Sequence, residues 1–310
     1  MVKEYTLYKA EENIEAYGDN VCISFFTDAQ RFVINYAVDE VKAGNFPHVG
    51  ITAREGLAVL YRKCKEDTKN NCSEPWMPVD LLSRDYHVSV NMSHMIRKTE
   101  KYEVLIYGPI LAHLIQLSIE ADAENYFQAK VPCGNCKKIL FLGGVETYGM
   151  GVTSAAMMFS NVIRRHDNVT ADRISYNQND YLNLIHGSLK NIADISVYDA
   201  VIIEADSMGQ RKEIVNDYLK KVLEQVSPCG HIMIWHSTAD ADSEKKCIVK
   251  NIVKEWTESH ENCAYLNLDF IFTEQYKDMC TYSNKFMNDA GNVMLYRSIS
   301  KEIARYLWNI

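Results

Sequence analysis

No stretch of this 310-residue chain approaches the ~18 consecutive apolar residues needed to cross a bilayer. Its first twenty residues carry Glu4, Glu11, Glu12 and Glu15 and lack the basic start and apolar stretch of a secretory leader. No membrane partner is expected. A basic run is missing too: 41 acidic residues face 33 basic ones, a net charge of −8. An acidic surface repels a phosphate backbone, so nucleic acid is not an expected partner. With 14 glycines and 6 prolines among 47% apolar and 24% charged residues, the composition excludes collagen, coiled coil and disorder as the overall state. Histidine is absent after His260.

Nine scattered cysteines, an odd number, are expected to be reduced thiols of a cytoplasmic protein. Cys133 and Cys136 form a CxxC pair ahead of a strand, the reverse of the order in a thioredoxin-like site, and no second pair completes a zinc site. They read as linker cysteines, and no metal is expected. The glycines at 143, 144, 149 and 151 fit neither GxGxxG nor a P-loop, so no cofactor is expected.

Length points to two domains. The first part is β-rich. Val21 to Phe26, Arg31 to Val38, Gly56 to Arg62, His87 to Met92, Tyr102 to Tyr107 and Leu111 to Ala121 alternate apolar with polar residues or are rich in β-branched and aromatic types. Short strands at this spacing predict an antiparallel β-sandwich, jelly-roll-like, over residues 1–134. From 135 to 310 strands alternate with helices. Lys137 to Gly144 is an apolar strand, followed by a helix over Thr153 to His166 with a Thr or Ser as N-cap and basic residues in its last turn. Strands follow at Arg173, Tyr198, His231 and Ala264, with helices at 181–192, 211–226, 243–260 and 292–308 between and after them. This order predicts a parallel sheet in a three-layer α/β/α domain, with ligands at the carboxyl ends of its strands.

LFLGGVETYGMGVT (Leu140 to Thr153) resembles the first turn of the SGNH (GDSL) hydrolases, with Gly143, Thr147, Tyr148 and Gly149 in register. SNKFMNDAGN (Ser283 to Asn292) resembles their closing segment, with Asn288, Asp289, Ala290 and Gly291 in register ahead of a last helix. The N-terminal domain resembles the sandwich that precedes the hydrolase domain in one group of carbohydrate esterases. The resemblance implies an ester hydrolase whose serine, in the first turn, is activated by a histidine of the last segment oriented by an aspartate.

In register, the serine position is Val145 and the residue before it Gly144; the histidine position is Phe286 and its aspartate Ser283. Ala205 and Ser207 stand at the glycine and asparagine that help hold the oxyanion. Valine has no lone pair to attack with, and phenylalanine cannot shuttle a proton. Losing triad members and an oxyanion donor removes the family mechanism. The expectation is a catalytically degenerate protein that binds a small carbohydrate or acylated ligand, or else a protein partner or a second copy. A rebuilt esterase or acyltransferase site would draw on Glu146, Asp206, Ser207, His236, Ser237 and Asp240, each following a strand, with Ser207 and His236 as nucleophile and base. Ligand-binding candidates are Gly144, Val145, Glu146, Ala205, Asp206, Ser207, His236 and Phe286. The glycine turn also offers amides, and a helix N-terminus after it could take an anion or a carbonyl oxygen. Met157 and Met158 read as core.

Overall fold

The computed structural model describes residues 1–9, 21–39, 48–64, 74–82, 86–130, 136–167, 169–175, 195–205, 212–226, 230–235, 243–268, 270, 273, 275–282 and 286–308. The chain divides into two compact units, Met1–Pro132 with Thr153–Ala156, and Cys133–Val152 with Met157–Ile310.

The first unit is a sandwich of two antiparallel sheets. Its strands are β1 (Val2–Lys9), β2 (Cys22–Thr27), β3 (Arg31–Val38), β4 (Leu57–Lys63), β5 (Met77–Leu82), β6 (His87–Asn91), β7 (Tyr102–Tyr107), β8 (Leu114–Asp122) and β9 (Phe127–Ala129), with a short helix α1 (Ile51–Glu55) before β4. One sheet runs β1-β8-β3-β6, the other β5-β4-β7-β2-β9. Alternate residues of both, among them Phe32, Ile34, Leu117 and Ile119 from one and Phe25, Val59, Val104 and Ile106 from the other, form one shared core. β1, β5 and β9 are additions to the expected strands. All three are edge strands. An edge tolerates the exposed, charged alternation of β1 and the proline of β5, so neither leaves a strong core signal.

The second unit holds a parallel sheet of β10 (Lys137–Gly143), β11 (Val169–Ser175), β12 (Ala200–Glu204), β13 (His231–Trp235) and β14 (Cys263–Leu266), ordered β11-β10-β12-β13-β14. Its helices are α2 (Val145–Tyr148), α3 (Phe159–His166), α4 (Lys212–Gln225), α5 (Ser243–Glu258), α6 (Lys277–Cys280) and α7 (Asp289–Leu307), with a hairpin of β15 (Thr281–Tyr282) and β16 (Phe286–Met287) before α7. Alternation along each strand separates two cores. Leu140, Leu142, Val201, Ile203, Ile232 and Ile234 meet Val215, Leu219 and Val222 of α4 and Val253 of α5. Phe141, Ile202, Met233 and Trp235 meet Phe159 and Ile163 of α3 and Leu295, Ile299 and Ile303 of α7. The unit is therefore a three-layer α/β/α domain. Strand order reverses at β10, so the crevice at the switch point lies beyond the carboxyl ends of β10 and β12.

Three expectations change. The helix expected from Thr153 starts at Phe159 instead, after a single 3-10 turn (Ala155–Met157), and its N-cap is Met158 rather than a Thr or Ser. Thr153–Ala156 clusters with the first unit, and Gly50 lies so close to the Thr153 carbonyl that an added Cβ would stand 2.3 Å from its oxygen. The reduced-thiol expectation fails at Cys64, which is disulfide-bonded. Cys22, Cys136, Cys263 and Cys280 are in no disulfide. No helix among the described residues is long and apolar enough to cross a membrane.

Candidate functional site

β10 ends at Gly143, and the chain turns through Gly144 directly into the four-residue helix α2. So tight a strand-to-helix turn aims several backbone amides at one point. An added Cβ on Gly143 would stand 2.1 Å from the Thr147 hydroxyl and 2.6 Å from Glu204 Cβ, so only glycine fits there. Gly149 closes α2 with φ +83°, the left-handed conformation glycine adopts most easily.

Glu204, the last residue of β12, fills the point where the amides converge. Its Oε2 accepts from the amides of Thr147 (2.7 Å) and Gly144 (3.1 Å), and its Oε1 from the amide of Glu146 (3.4 Å). The side chain is 2% exposed. Burial pushes its carboxyl above the ordinary carboxylate range, while the Thr147 hydroxyl and the three amides pull it back. Of the expected places for an anion, the turn is therefore occupied by the chain's own carboxylate.

A second buried carboxylate ties the turn to the closing segment. Both Glu146 oxygens accept from the amide of Met287, at 3.1 and 3.3 Å. α2 packs against β16, and Gly151 lies close enough that an added Cβ would stand 2.1 Å from the Met287 carbonyl oxygen. Asn288 caps α7, accepting from the Gly291 amide at 3.1 Å and donating to the Met279 carbonyl at 2.7 Å. Asn292 donates to the Met287 carbonyl at 3.2 Å and accepts from the Phe159 amide at 3.0 Å. Arg173 of β11, buried, donates through Nη1 to the Thr147 and Tyr148 carbonyls, both at 3.4 Å, and lies 2.9 Å from Met158 Sδ.

The fold thus brings Gly144, Val145, Glu146 and Phe286 together, with Ala205 buried at the end of β12. Val145 and Phe286 are both partly exposed. Glu146 is buried and engaged with Met287 rather than open to a ligand. Asp206, Ser207, His236, Ser237, Asp240 and Ser283 lie outside the described residues, as do Cys133 and the helix expected at 181–192. Glu204, Arg173 and Asn292 belong to this network without matching any position of the family pattern. Glu204 left one signal, a carboxylate closing the otherwise apolar strand AVIIE. Among the described residues no three His, Cys, Asp or Glu side chains are grouped to hold a metal ion. A groove of about 570 Å³ lies between α4 and α5, lined by Lys212, Leu223, Ile252, Trp256 and His260 among others, and it contains none of the site residues.

No protein-family model and no curated protein sequence matches the chain. Solved structures do. A chain named as a GDSL-like lipase from Bacteroides ovatus superposes with a TM-score of 0.76 at 16% identity, covering 99% of this chain and 98% of the other. A family two carbohydrate esterase from Clostridium thermocellum, in complex with cellohexaose, gives 0.57 at 13%, covering 95% and 94%. An acetyl xylan esterase from the rumen bacterium Butyrivibrio proteoclasticus gives 0.56 at 11%, covering 98% and 96%. At these identities the likeness concerns architecture, and over nearly its whole length the chain has the fold of the SGNH/GDSL hydrolases.

Proposed function

We propose that this chain is a catalytically degenerate SGNH-type protein that binds a small carbohydrate or acylated ligand instead of hydrolysing esters by the Ser-His-Asp mechanism. The observation that carries the reading is the tie between the glycine turn and the closing segment through Glu146 and the Met287 amide. It supports the register in which Val145 takes the nucleophile position and Phe286 that of the base. A hydrocarbon supplies no attacking oxygen and a phenyl ring relays no proton, and a triad stripped of both nucleophile and base loses nearly all of its rate enhancement. The esterase neighbours suggest the ligand class, a sugar or its acyl ester.

Three measurements on the purified chain test this: p-nitrophenyl acetate turnover, fluorophosphonate labelling, and calorimetric titration with cellohexaose and with acetylated xylo-oligosaccharide. The expected result is turnover at the uncatalysed rate, no serine adduct, and saturable heat with at least one saccharide. Turnover abolished by His236→Ala, or an adduct on Ser207, would overturn the reading in favour of a relocated esterase or acyltransferase. Absence of heat with every saccharide would remove the ligand class.

A further inference from the structure

We propose that Tyr282 and Phe286, opposed on the β15–β16 hairpin beside the glycine turn, form a stacking platform for one face of a sugar ring and so bind an uncharged saccharide. The proposal rests on the ligand class of the reading above and names the surface that recognises it.

β15 and β16 pair antiparallel, with Thr281 opposite Met287 and Tyr282 opposite Phe286. Successive side chains of a strand point to opposite faces, and directly opposed residues share one. Thr281 is 6% exposed and Met287 1%, and Met287 belongs to the core that α3 and α7 cover, so theirs is the inner face. Tyr282, 38% exposed, and Phe286, partly exposed, share the outer one. A single exposed apolar residue is ordinary, but two opposed rings on one strand pair make a flat apolar surface. The hairpin is held from both ends. The Thr281 hydroxyl donates to the Lys277 carbonyl at 2.7 Å, the Asn288 amide to the Cys280 carbonyl at 2.9 Å, and the Met287 amide to Glu146 at 3.1 Å. A surface ordered in advance loses little freedom when a ligand settles on it.

Spacing, charge and place identify the occupant. Opposed Cβ atoms of an antiparallel pair lie about 4.5–5.5 Å apart, so the two rings cover a patch about as wide as one sugar ring. The two carboxylates of the turn, Glu146 and Glu204, are buried and engaged by amides, so neither offers charge to a ligand. An uncharged partner with one apolar face matches such a patch. A pyranose turns its C–H bonds to the electron-rich faces of the rings and keeps its hydroxyls free for water. The Tyr282 hydroxyl adds a donor and an acceptor at the rim. α2 starts at Val145, directly after the carboxyl end of β10, and packs against β16. The platform therefore stands at the end of the sheet where an open α/β fold takes its ligands.

The test is calorimetric titration of the full chain with cellohexaose and with acetylated xylo-oligosaccharide, for wild type, Tyr282→Leu, Tyr282→Phe and Phe286→Leu. Leucine keeps apolar area and removes the ring, so it separates stacking from plain burial. The expected result is a dissociation constant raised about tenfold in Tyr282→Leu and in Phe286→Leu, and close to wild type in Tyr282→Phe. Saturation-transfer NMR on wild type reads the contact without any variant: irradiation of aromatic protons should pass first to the C–H protons of one sugar face. Wild-type binding with an unchanged constant in either leucine variant, or equal transfer to all sugar protons, would overturn the platform and leave the saccharide reading standing. Absence of binding by wild type would remove both. Ester turnover by wild type together with the expected losses would overturn the degenerate reading alone. A dimer in sedimentation velocity that Tyr282→Leu dissociates would assign the face to a second copy and overturn the proposal.

Discussion

At the scale of single residues, the site is organised by two carboxylates that the chain has buried rather than exposed. Glu204 satisfies three amides that a tight turn would otherwise leave orphaned. An unpartnered buried donor costs about 1–3 kcal/mol. Glu204→Ala should therefore lower unfolding free energy by about 3 kcal/mol or more, read from urea denaturation. Glu204→Gln should recover only part of this, since its amide nitrogen donates where an acceptor is needed. The sign of the pH dependence follows from burial. A carboxyl held above its ordinary range contributes most when protonated, so its stabilisation declines as pH rises through the raised folded value. Glu204→Gln should flatten that part of the pH–stability curve; an unchanged slope would show that Glu204 is not its source. Gly143→Ala places a methyl against Thr147 and Glu204 and should cost about 2–3 kcal/mol.

At the scale of elements, the sandwich has its own buried charge. Glu103, 1% exposed on the central strand β7, accepts from Ser24 of β2 at 2.7 Å and pairs with Arg62 of β4 at 2.6 Å and with Lys130 at 2.8 Å. Burial alone would raise its carboxyl, but Lys130, Arg62 and the Ser24 hydroxyl hold it below the ordinary range. This stabilisation is present above the ordinary carboxylate range and is lost as pH falls through the depressed folded value, opposite in sign to that of Glu204. Arg62→Ala leaves Glu103 with Lys130 as its remaining cation and should cost about 2 kcal/mol. Acid titration followed by tryptophan fluorescence should then show an earlier transition in Arg62→Ala than in wild type, because Trp76 stacks beneath Arg62 at 4.4 Å.

At the scale of the molecule, sequence-local boundaries and compact units do not coincide. Thr153–Ala156 belongs with the sandwich although it lies between strand and helix of the α/β domain. Gly50→Ala would push a methyl into the Thr153 backbone. Backbone yields less readily than a side-chain tip, so a loss of about 1–3 kcal/mol is expected from chemical denaturation. A wild-type midpoint in that variant would show that the contact is dispensable.

How much was legible along the chain depends on how local each signal is. β3 and β7 match their expected bounds because alternation and β-branched content are properties of neighbouring residues. β1 and β5 were missed because an edge strand buries one side at most, leaving a weaker pattern. The expected helix over 211–226 matches α4 within a residue at each end, and Val215, Tyr218, Leu219 and Val222 are its buried face, with Leu223 packed partly buried beside them. The start of α3 differs because Thr153 and Ser154 are good caps locally, whereas the chain first makes a 3-10 turn and the helix takes Met158 as its N-cap. The relation of Val145 to Phe286 could be read only through a family pattern, since 141 residues separate Glu146 from the Met287 amide it accepts from.

The amino-acid order by itself determined the two-part architecture, the parallel sheet and the glycine turn, because hydrophobic period, helix punctuation and the φ freedom of glycine act over a few residues. Only the tertiary structure decided that Glu204 serves the turn, that Glu146 reaches Met287, and that Tyr282 stands opposite Phe286 on an outer face. A buried polar group takes its partner from whatever the fold carries past it, and that neighbour is set by strand order and helix packing rather than by sequence distance.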